Sequence, residues 1–276
     1  MIHLQLAGRL GNHLFQWGTA LSIQNESQSI ALTYDDFHQS KPSNLLRKVV
    51  GDSIEIKKSN LTGRLLQLED KLFLKNRFLK PLIYTEINPF GVYEHERGST
   101  FVARGYFQNW RNLASVEGVI TSQMELALRN WIDADAHLKK LRDEIGEFHA
   151  VHVRQGDYLG TDFGTLSSEY YKGKRGKSLL PVAVFTDQSE LNTKYFDAIQ
   201  PDFVFTRETL SADDSFALMS QASSIIAANS TFSWWAGFLI AKRAGDVTIP
   251  NPWMKVAPIS DAFIHPKMHS SVSIFN

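Results

Sequence analysis

A parallel α/β architecture is the fold class this sequence predicts, and three observations predict it. The chain opens with a strand, a glycine-bearing turn and a helix pattern; short apolar runs alternate with helical patterns through residues 146–276; and those runs end in polar or turn residues. At the start, residues 2–6 read as the strand, residues 7–12 as the turn, and the apolar spacing from Leu14 to Ile23 as the helix. The middle, residues 41–80, is mixed and basic. Lys57, Lys58, Arg64, Lys71, Lys75, Arg77 and Lys80 recur there at intervals that suit solvated helix faces, a basic groove being the alternative. Residues 125–144, with Leu126, Leu128, Trp131, Ile132, Leu138 and Leu141, read as one or two helices that close a first part at residue 145. In the second part, residues 150–153, 182–185, 203–205, 224–227 and 247–249 read as strands. Residues 212–222 read as a helix whose Asp213 and Asp214 suit the positive end of its dipole. Parallel sheets bind ligands at the carboxyl ends of their strands, so residues 154–157, 186–188, 229–231 and 250–252 are expected to converge.

The composition narrows the function classes. With 276 residues the chain exceeds one average domain of about 150, and its 43% hydrophobic and 21% charged content is that of a folding globular protein. Lys plus Arg and Asp plus Glu each number 29, so no net charge is available to release counterions from a nucleic acid or to draw the chain onto anionic lipid. The absence of cysteine excludes a disulfide scaffold, a zinc-thiolate site, an iron-sulfur cluster and a thiol nucleophile, and fits a reducing cytosol. The first residues lack the charged start, apolar stretch and cleavage site of a secretory signal, so a cytoplasmic location is expected. Asn-x-Ser/Thr triplets at Asn25, Asn60 and Asn229 therefore read as chance or structure. The uncharged run 215–241 is long enough for a bilayer, but it holds Gln221, Asn229 and several Ser and Thr, and reads as a buried strand-loop-helix. Phe73, Phe78 and Leu79 among Lys71, Lys75 and Lys80 read as a buried helix with solvated lysines. The alternative is a peripheral face toward the inner membrane.

Among residues able to do chemistry, Arg154 leads. A guanidinium just past an apolar strand and before the flexible Gly156 can form a bidentate pair with a diphosphate, oriented by Asp157; the alternative is an ordinary Arg154–Asp157 surface pair. Asn229, Ser230 and Thr231 are N-cap residue types placed before the apolar stretch 232–240, where helix N–H groups could hold phosphate oxygens or the residues could merely cap. Trp234 and Trp235 read as core anchors. In Gly8-Arg9-Leu10-Gly11-Asn12 two glycines let the backbone approach a ligand and Asn12 can donate or cap, although G-x-G-x-x-G is absent. Gly176-Lys177-Ser178 reads as a basic loop and not a P-loop, because Tyr171 stands where a glycine is required. Asp133-Ala134-Asp135 reads as helix capping, His95-Glu96 lacks the second histidine of a zinc helix, and no required metal is expected. The G-x-S-x-G elbow of serine hydrolases does not occur.

Taken in order, Gly8-Arg9-Leu10-Gly11-Asn12-His13-Leu14-Phe15-Gln16, His152-Val153-Arg154-Gln155-Gly156-Asp157-Tyr158 and Asn229-Ser230-Thr231-Phe232-Ser233-Trp234-Trp235-Ala236 resemble the bacterial and animal α-1,2-fucosyltransferases of glycosyltransferase family 11. Gly105-Tyr106-Phe107-Gln108-Asn109-Trp110 and Phe185-Thr186-Asp187 match further blocks, and residues 35–100 are the part the resemblance leaves out. The resemblance implies a GT-B architecture of two Rossmann-like domains facing a central cleft, with an acceptor-side domain at 1–145 and a GDP-sugar donor-binding domain at 146–276. It also implies inverting, metal-independent transfer of L-fucose from GDP-fucose to the 2-hydroxyl of a galactose-type acceptor. That acceptor would be an oligosaccharide or lipid-linked glycan in the assembly of a bacterial surface polysaccharide such as O-antigen.

Carried over residue by residue, Arg154 would contact the donor diphosphate and His152 and Asp187 the guanine. Ser230, Thr231 and Ser233, in a block with Asn229 and Phe232, would contact phosphate. Gly11 and Asn12 would lie near the phosphate and the reacting carbon. The family pattern assigns no acceptor residues here, and Tyr106, Gln108 and Trp110 of the first domain are the ones expected to face the acceptor. Without a metal, Arg154 and the helix N-terminus would stabilise charge on the departing GDP.

Two positions depart from the family pattern: Gln155 replaces a second arginine, and His13 replaces a glutamine. His13 could take the acceptor proton or pack the helix start; Asp157 is the other possible base, though it better suits orienting Arg154. Two rival readings stand beside the fucosyl one. The first is the same fold with another GDP-deoxysugar such as GDP-colitose; the second is a non-catalytic nucleotide- or glycan-binding module, although a purely glycan-binding one would not need a diphosphate clamp.

Overall fold

Ile2, Leu4 and Leu6 are buried together with Gln5, and such two-sided burial is what the central strand of a parallel sheet requires. A computed structural model of the chain describes residues 1–25, 29–36, 40–71, 83–86, 88, 90–92, 101–172, 179–256 and 261–276. They form two units, Met1–Met124 and Glu125–Asn276.

The first unit runs through β1 (Ile2–Gln5), α1 (Leu10–Asn25), β2 (Ile30–Tyr34), α2 (Asn44–Val50), β3 (Glu55–Lys58), α3 (Asn60–Lys71), β4 (Ile83–Thr85) and β5 (Val102–Arg104), and ends within α4 (Glu117–Ala134). Its strands form one sheet in the order β3-β2-β1-β5-β4. All its pairings are parallel, with Ile2 opposite Ile30 and His3 opposite Val102. Leu14, Phe15 and Trp17 bring a fully buried face of α1 into the core, where Trp17 Nε1 donates to Ser53 Oγ at 3.4 Å.

The second unit continues through α5 (Ala136–Ile145), β6 (His149–Val153), α6 (Ser168–Tyr171), β7 (Val182–Thr186), α7 (Thr193–Ile199), β8 (Phe203–Phe205), α8 (Ala212–Met219), β9 (Ser224–Ile226), α9 (Thr231–Lys242), β10 (Asp246–Asn251) and β11 (His269–Val272). The order is β11-β10-β9-β6-β7-β8, again wholly parallel. Helix α9 is apolar almost all round and is therefore buried almost all round. Trp234, Trp235 and Phe238 are fully enclosed, and the Trp234 indole donates to Phe263 O at 2.7 Å. Both tryptophans are core anchors, as their sequence setting predicts.

Several expectations are corrected. The first helix begins at Leu10, so the turn is shorter than residues 7–12, and Gly11, Asn12 and His13 ride on the first turn of α1. Lys57 and Lys58 lie on strand β3 and not on a helix face, and Lys58 pairs with Asp36 at 2.7 Å. Residues 125–145 group with the second unit, not the first, because their side chains are spent there. Trp131 Nε1 donates to Asp214 Oδ1 at 2.8 Å, α5 packs on α8, and Arg243 meets Glu125 at 3.4 Å. The capping reading of Asp133-Ala134-Asp135 fits what is seen: Asp135 caps α5, accepting from His137 N at 2.8 Å and Leu138 N at 3.0 Å. The run 215–241 spans the end of α8, β9 and most of α9. Among the described residues no helix is long and apolar enough to cross a membrane. Gly176-Lys177-Ser178, His95-Glu96 and the Phe73–Leu79 face with Lys75 and Lys80 lie outside the described residues.

Candidate functional site

Strands β9, β6 and β7 are neighbours, and the segments that leave their carboxyl ends carry Asn229, Arg154 and Asp187. Arg154, with only 13% of its side chain exposed, is held between two carboxylates. Its Nη2 pairs with Asp157 Oδ1 at 2.5 Å and its Nη1 with Asp187 Oδ2 at 3.2 Å. Its guanidinium carbon stands 5.1 Å from the centre of the Tyr158 ring. Asp187 also accepts from Gln155 N at 3.0 Å, so one carboxylate fixes both the arginine and the turn that follows it. Gly156 is required by this approach, since a Cβ there would sit 2.1 Å from Asp187 Oδ2. The Arg154 Nε is buried and has no partner among the described residues. Asp157 and Asp187 therefore share the Arg154 guanidinium between them.

His152 is buried beneath this loop, its ring 5.6 Å from that of Phe232, and its Nδ1 has no partner among the described residues. Burial above all, and then the neighbouring Arg154 charge, pushes its pKa far below the ordinary histidine range, so the imidazole is neutral at neutral pH. Ser230 occupies the N-cap of α9 with extended backbone, yet its side chain makes no capping bond. Asn229 does not cap either: its amide donates to Phe163 O at 3.2 Å and Gly164 O at 3.0 Å, and its buried Oδ1 has no partner among the described residues. Ser233 points back, donating to Ala228 O and Ser230 O. Thr231 and Phe232 are partly exposed at the helix start. The positive end of α9 and the Arg154 guanidinium thus lie at the ends of adjacent strands, an arrangement that can hold an anion with oxygens on more than one side.

The first unit has its own cluster at the carboxyl ends of β1, β5 and β4. Asn12 Oδ1 accepts from Gln108 Nε2 at 2.8 Å. Gln16, fully buried on α1, ties the turn after β1 to the turn after β5: Ala7 N donates to its Oε1 at 3.2 Å, and its Nε2 donates to Gly105 O at 2.6 Å. Tyr106 is 41% exposed, and Trp110 is partly buried with the Arg111 guanidinium 5.0 Å from its ring. His13 is 2% exposed, and burial lowers its pKa to about 4 against the smaller opposing effect of the Gly8 backbone. Glu86, at the end of β4, accepts backbone N–H bonds from Tyr106 and Phe107, and burial raises its pKa to about 7. Among the described residues, no three His, Asp or Glu side chains gather where a metal ion could be held.

The residues expected from the sequence thus fall into two groups. Arg154, Asp157, Asp187, His152, Asn229, Ser230, Thr231, Phe232 and Ser233 gather in the second unit, and Gly11, Asn12, His13, Tyr106, Gln108 and Trp110 in the first. Sequence reasoning missed Gln16 as the link between two turns, although it stood within the quoted motif. It also missed Glu86, whose only signal is an acid that ends the short apolar run Ile83-Tyr84.

Comparison with known proteins gives consistent matches. The model of the family described as glycosyl transferase family 11 matches residues 1–257. The O-antigen biosynthesis glycosyltransferase WbnK of Escherichia coli is 27% identical over 290 residues, covering 90% of this chain and 93% of that protein. An alpha-1,2-colitosyltransferase of Escherichia coli is 32% identical over 118 residues, covering 38% of this chain and 41% of that protein. A galactoside 2-alpha-L-fucosyltransferase of Caenorhabditis elegans is 23% identical over 285 residues, covering 93% of this chain and 75% of that protein.

Proposed function

The chain belongs to glycosyl transferase family 11, and from that premise we propose that it transfers L-fucose from GDP-fucose to the 2-hydroxyl of a galactose-type acceptor in the assembly of O-antigen. The reading is of a GT-B enzyme whose second unit holds the donor and whose first unit presents a glycan acceptor. The observation that carries it is Arg154, poised at a strand end beside the start of α9 and held there by Asp157 and Asp187.

An incoming diphosphate offers the guanidinium a further set of oxygens beside those of Asp157, and the α9 N-terminus with Ser230 and Thr231 takes the remaining ones. Asp187, anchored through Gln155 N, keeps the loop in register and accepts from the base. As the bond from the anomeric carbon to the β-phosphate oxygen breaks, its electron pair stays on GDP, and Arg154 and the helix dipole stabilise that charge. The acceptor oxygen bonds the opposite face of the sugar, which inverts its configuration, and its proton passes to solvent water. Positive protein groups supply the stabilisation here, so the reading requires no metal. Of the two candidate bases, His13 is enclosed and Asp157 is engaged with Arg154, which suits a dissociative transition state that makes little demand on a base.

A ligand that binds only the folded state raises the melting temperature. GDP is expected to stabilise the protein without magnesium, and UDP, ADP and CMP to do so far less; a shift by UDP or CMP alone sinks the donor assignment. A second reading keeps the reaction and changes the sugar to colitose. It is favoured by Gln155 in place of the family's second arginine and by the 32% identity to a colitosyltransferase segment. The ratio of kcat/KM for GDP-fucose and GDP-colitose decides between them.

A further inference from the structure

Two carboxylates end strands of the first sheet, and they are used differently. Asp35, after β2, is 1% exposed and turned inward, accepting from Gln5 Nε2 at 2.9 Å. Glu86, after β4, extends the strand pairing through its own N–H, which donates to Arg104 O at 2.8 Å, and then gives its side chain to the turn after β5. Tyr106 N donates to Oε2 at 2.7 Å, and Phe107 N lies 3.1 Å from Oε1 and 3.0 Å from Oε2. The approach is so close that Gly105 has no room for a side chain; a Cβ there would fall 2.5 Å from the Glu86 Cβ.

The turn held in this way is strained. Phe107 has φ of 52°, in the left-handed region that residues with a side chain rarely adopt. Its ring is fully buried and stacks with Tyr84 at 6.3 Å between centroids. The reversal at Phe107 sends that ring inward and leaves Tyr106, beside it, 41% exposed. Gln16 fixes Gly105 O, and Asn12 fixes the Gln108 amide. Backbone strain of this kind persists only where the surroundings over-determine it, and it concentrates at functional sites.

We propose that Glu86 is a positioning residue for the glycan acceptor, whose carboxylate holds the Gly105–Gln108 turn so that the Tyr106 ring and the Gln108 side chain meet the sugar. The inference rests on the proposed acceptor role of those two residues. Tyr106 offers the ring face and Gln108 its Oε1 to a hydroxyl, while the Gln108 amide stays on Asn12. Glu86 itself touches no substrate.

Glu86→Gln tests this, because its amide nitrogen cannot accept the N–H bonds that the carboxylate takes. In steady-state transfer assays the acceptor KM is expected to rise by about tenfold or more, with the donor KM and the GDP-induced thermal shift unchanged. Glu86→Asp is expected to recover part of the loss. A merely structural role would lower the melting temperature and leave the acceptor KM where it was, and that outcome overturns the proposal. Should Glu86→Gln fail to fold, Gln108→Ala leaves the carboxylate in place and must raise the acceptor KM; an unchanged value there also overturns it. Wild-type protein in the same assays separates the two levels. No GDP shift and no transfer counts against the proposed function, whereas active wild type beside a folded, unaffected Glu86→Gln counts against the positioning role alone.

Discussion

The two strand-end clusters rest on the same scaffold, a parallel sheet with helices entering at its carboxyl edge, and they are built from different chemistry. In the second unit a guanidinium is balanced by Asp157 and Asp187 beside the start of α9, a charged cluster to which the proposed function gives the donor diphosphate. In the first unit Asn12, Gln16 and Gln108 engage one another's turns through amides, and Glu86 holds main-chain N–H groups, which is a device for presenting hydrogen-bonding groups in a fixed geometry. The lesson is that the scaffold settles where chemistry can occur and the side chains settle which chemistry occurs.

The largest expected effect comes from emptying the charged cluster. Arg154→Ala should lower kcat for transfer by about 10²–10³-fold, the loss typical of removing one donor that stabilises developing charge. The circular dichroism spectrum should stay that of the wild type, and unchanged turnover by the folded variant would remove the clamp from the account. Next comes Gly156→Ala, whose new methyl displaces Asp187 and with it both Gln155 N and Arg154. GDP affinity by calorimetry should fall by about tenfold, roughly the worth of one charge-assisted hydrogen bond, and the acceptor KM should hold.

Titration distinguishes two sites within the first unit. The folded-state pKa of Glu86 is raised to about 7, so the stability it contributes is full below its unfolded value and is lost as pH rises toward 7. His13 is lowered to about 4, so its contribution is present above its unfolded value and is lost as pH falls toward 4. Melting temperatures measured from pH 4.5 to 8.5 should therefore diverge with opposite slopes. Glu86→Gln should lose less stability than wild type as pH rises from 4.5 to about 7, and His13→Gln less as it falls from 6.5 to about 4; parallel curves would show that neither group is perturbed. The smallest effect is expected of Gln155→Arg, which restores a second positive charge beside Arg154. It should tighten GDP binding by about threefold and steepen its dependence on salt, and an affinity independent of ionic strength would argue against an electrostatic donor site there.

Much of this was legible in the chain itself. The apolar runs of the second unit announce β6, β7, β8, β9 and β10 within a residue or two, and the polar residues at their ends include Arg154, Asp187 and Asn229. The cap at Asp135 and the burial of Trp234 and Trp235 are local or nearly local facts, and the sequence carries them. The first unit was harder to read. Strands β4 and β5 are three residues long, too short for any periodicity to register, and β3 reads as Glu-Ile-Lys-Lys, a charged edge strand that resembles a helix face. The extension of α1 back to Leu10 was hidden by Gly11, which breaks a helical pattern without breaking the helix.

The repeated strand-helix order, the apolar nature of α9 and the chemically able residues where strands end are written in the chain. Those follow from hydrophobic periodicity and from side chains acting on their own neighbourhood. Only the tertiary structure decided that Asp187 would hold Arg154, that Asn229 would hold the Phe163–Gly164 turn in place of capping α9, and that Glu86 would anchor the loop after β5. Each of these pairs is separated by some 20 to 66 positions. They meet because the strand orders β9-β6-β7 and β1-β5-β4 lay distant segments side by side, and a hydrogen bond or ion pair forms only over the few ångströms that such neighbours share.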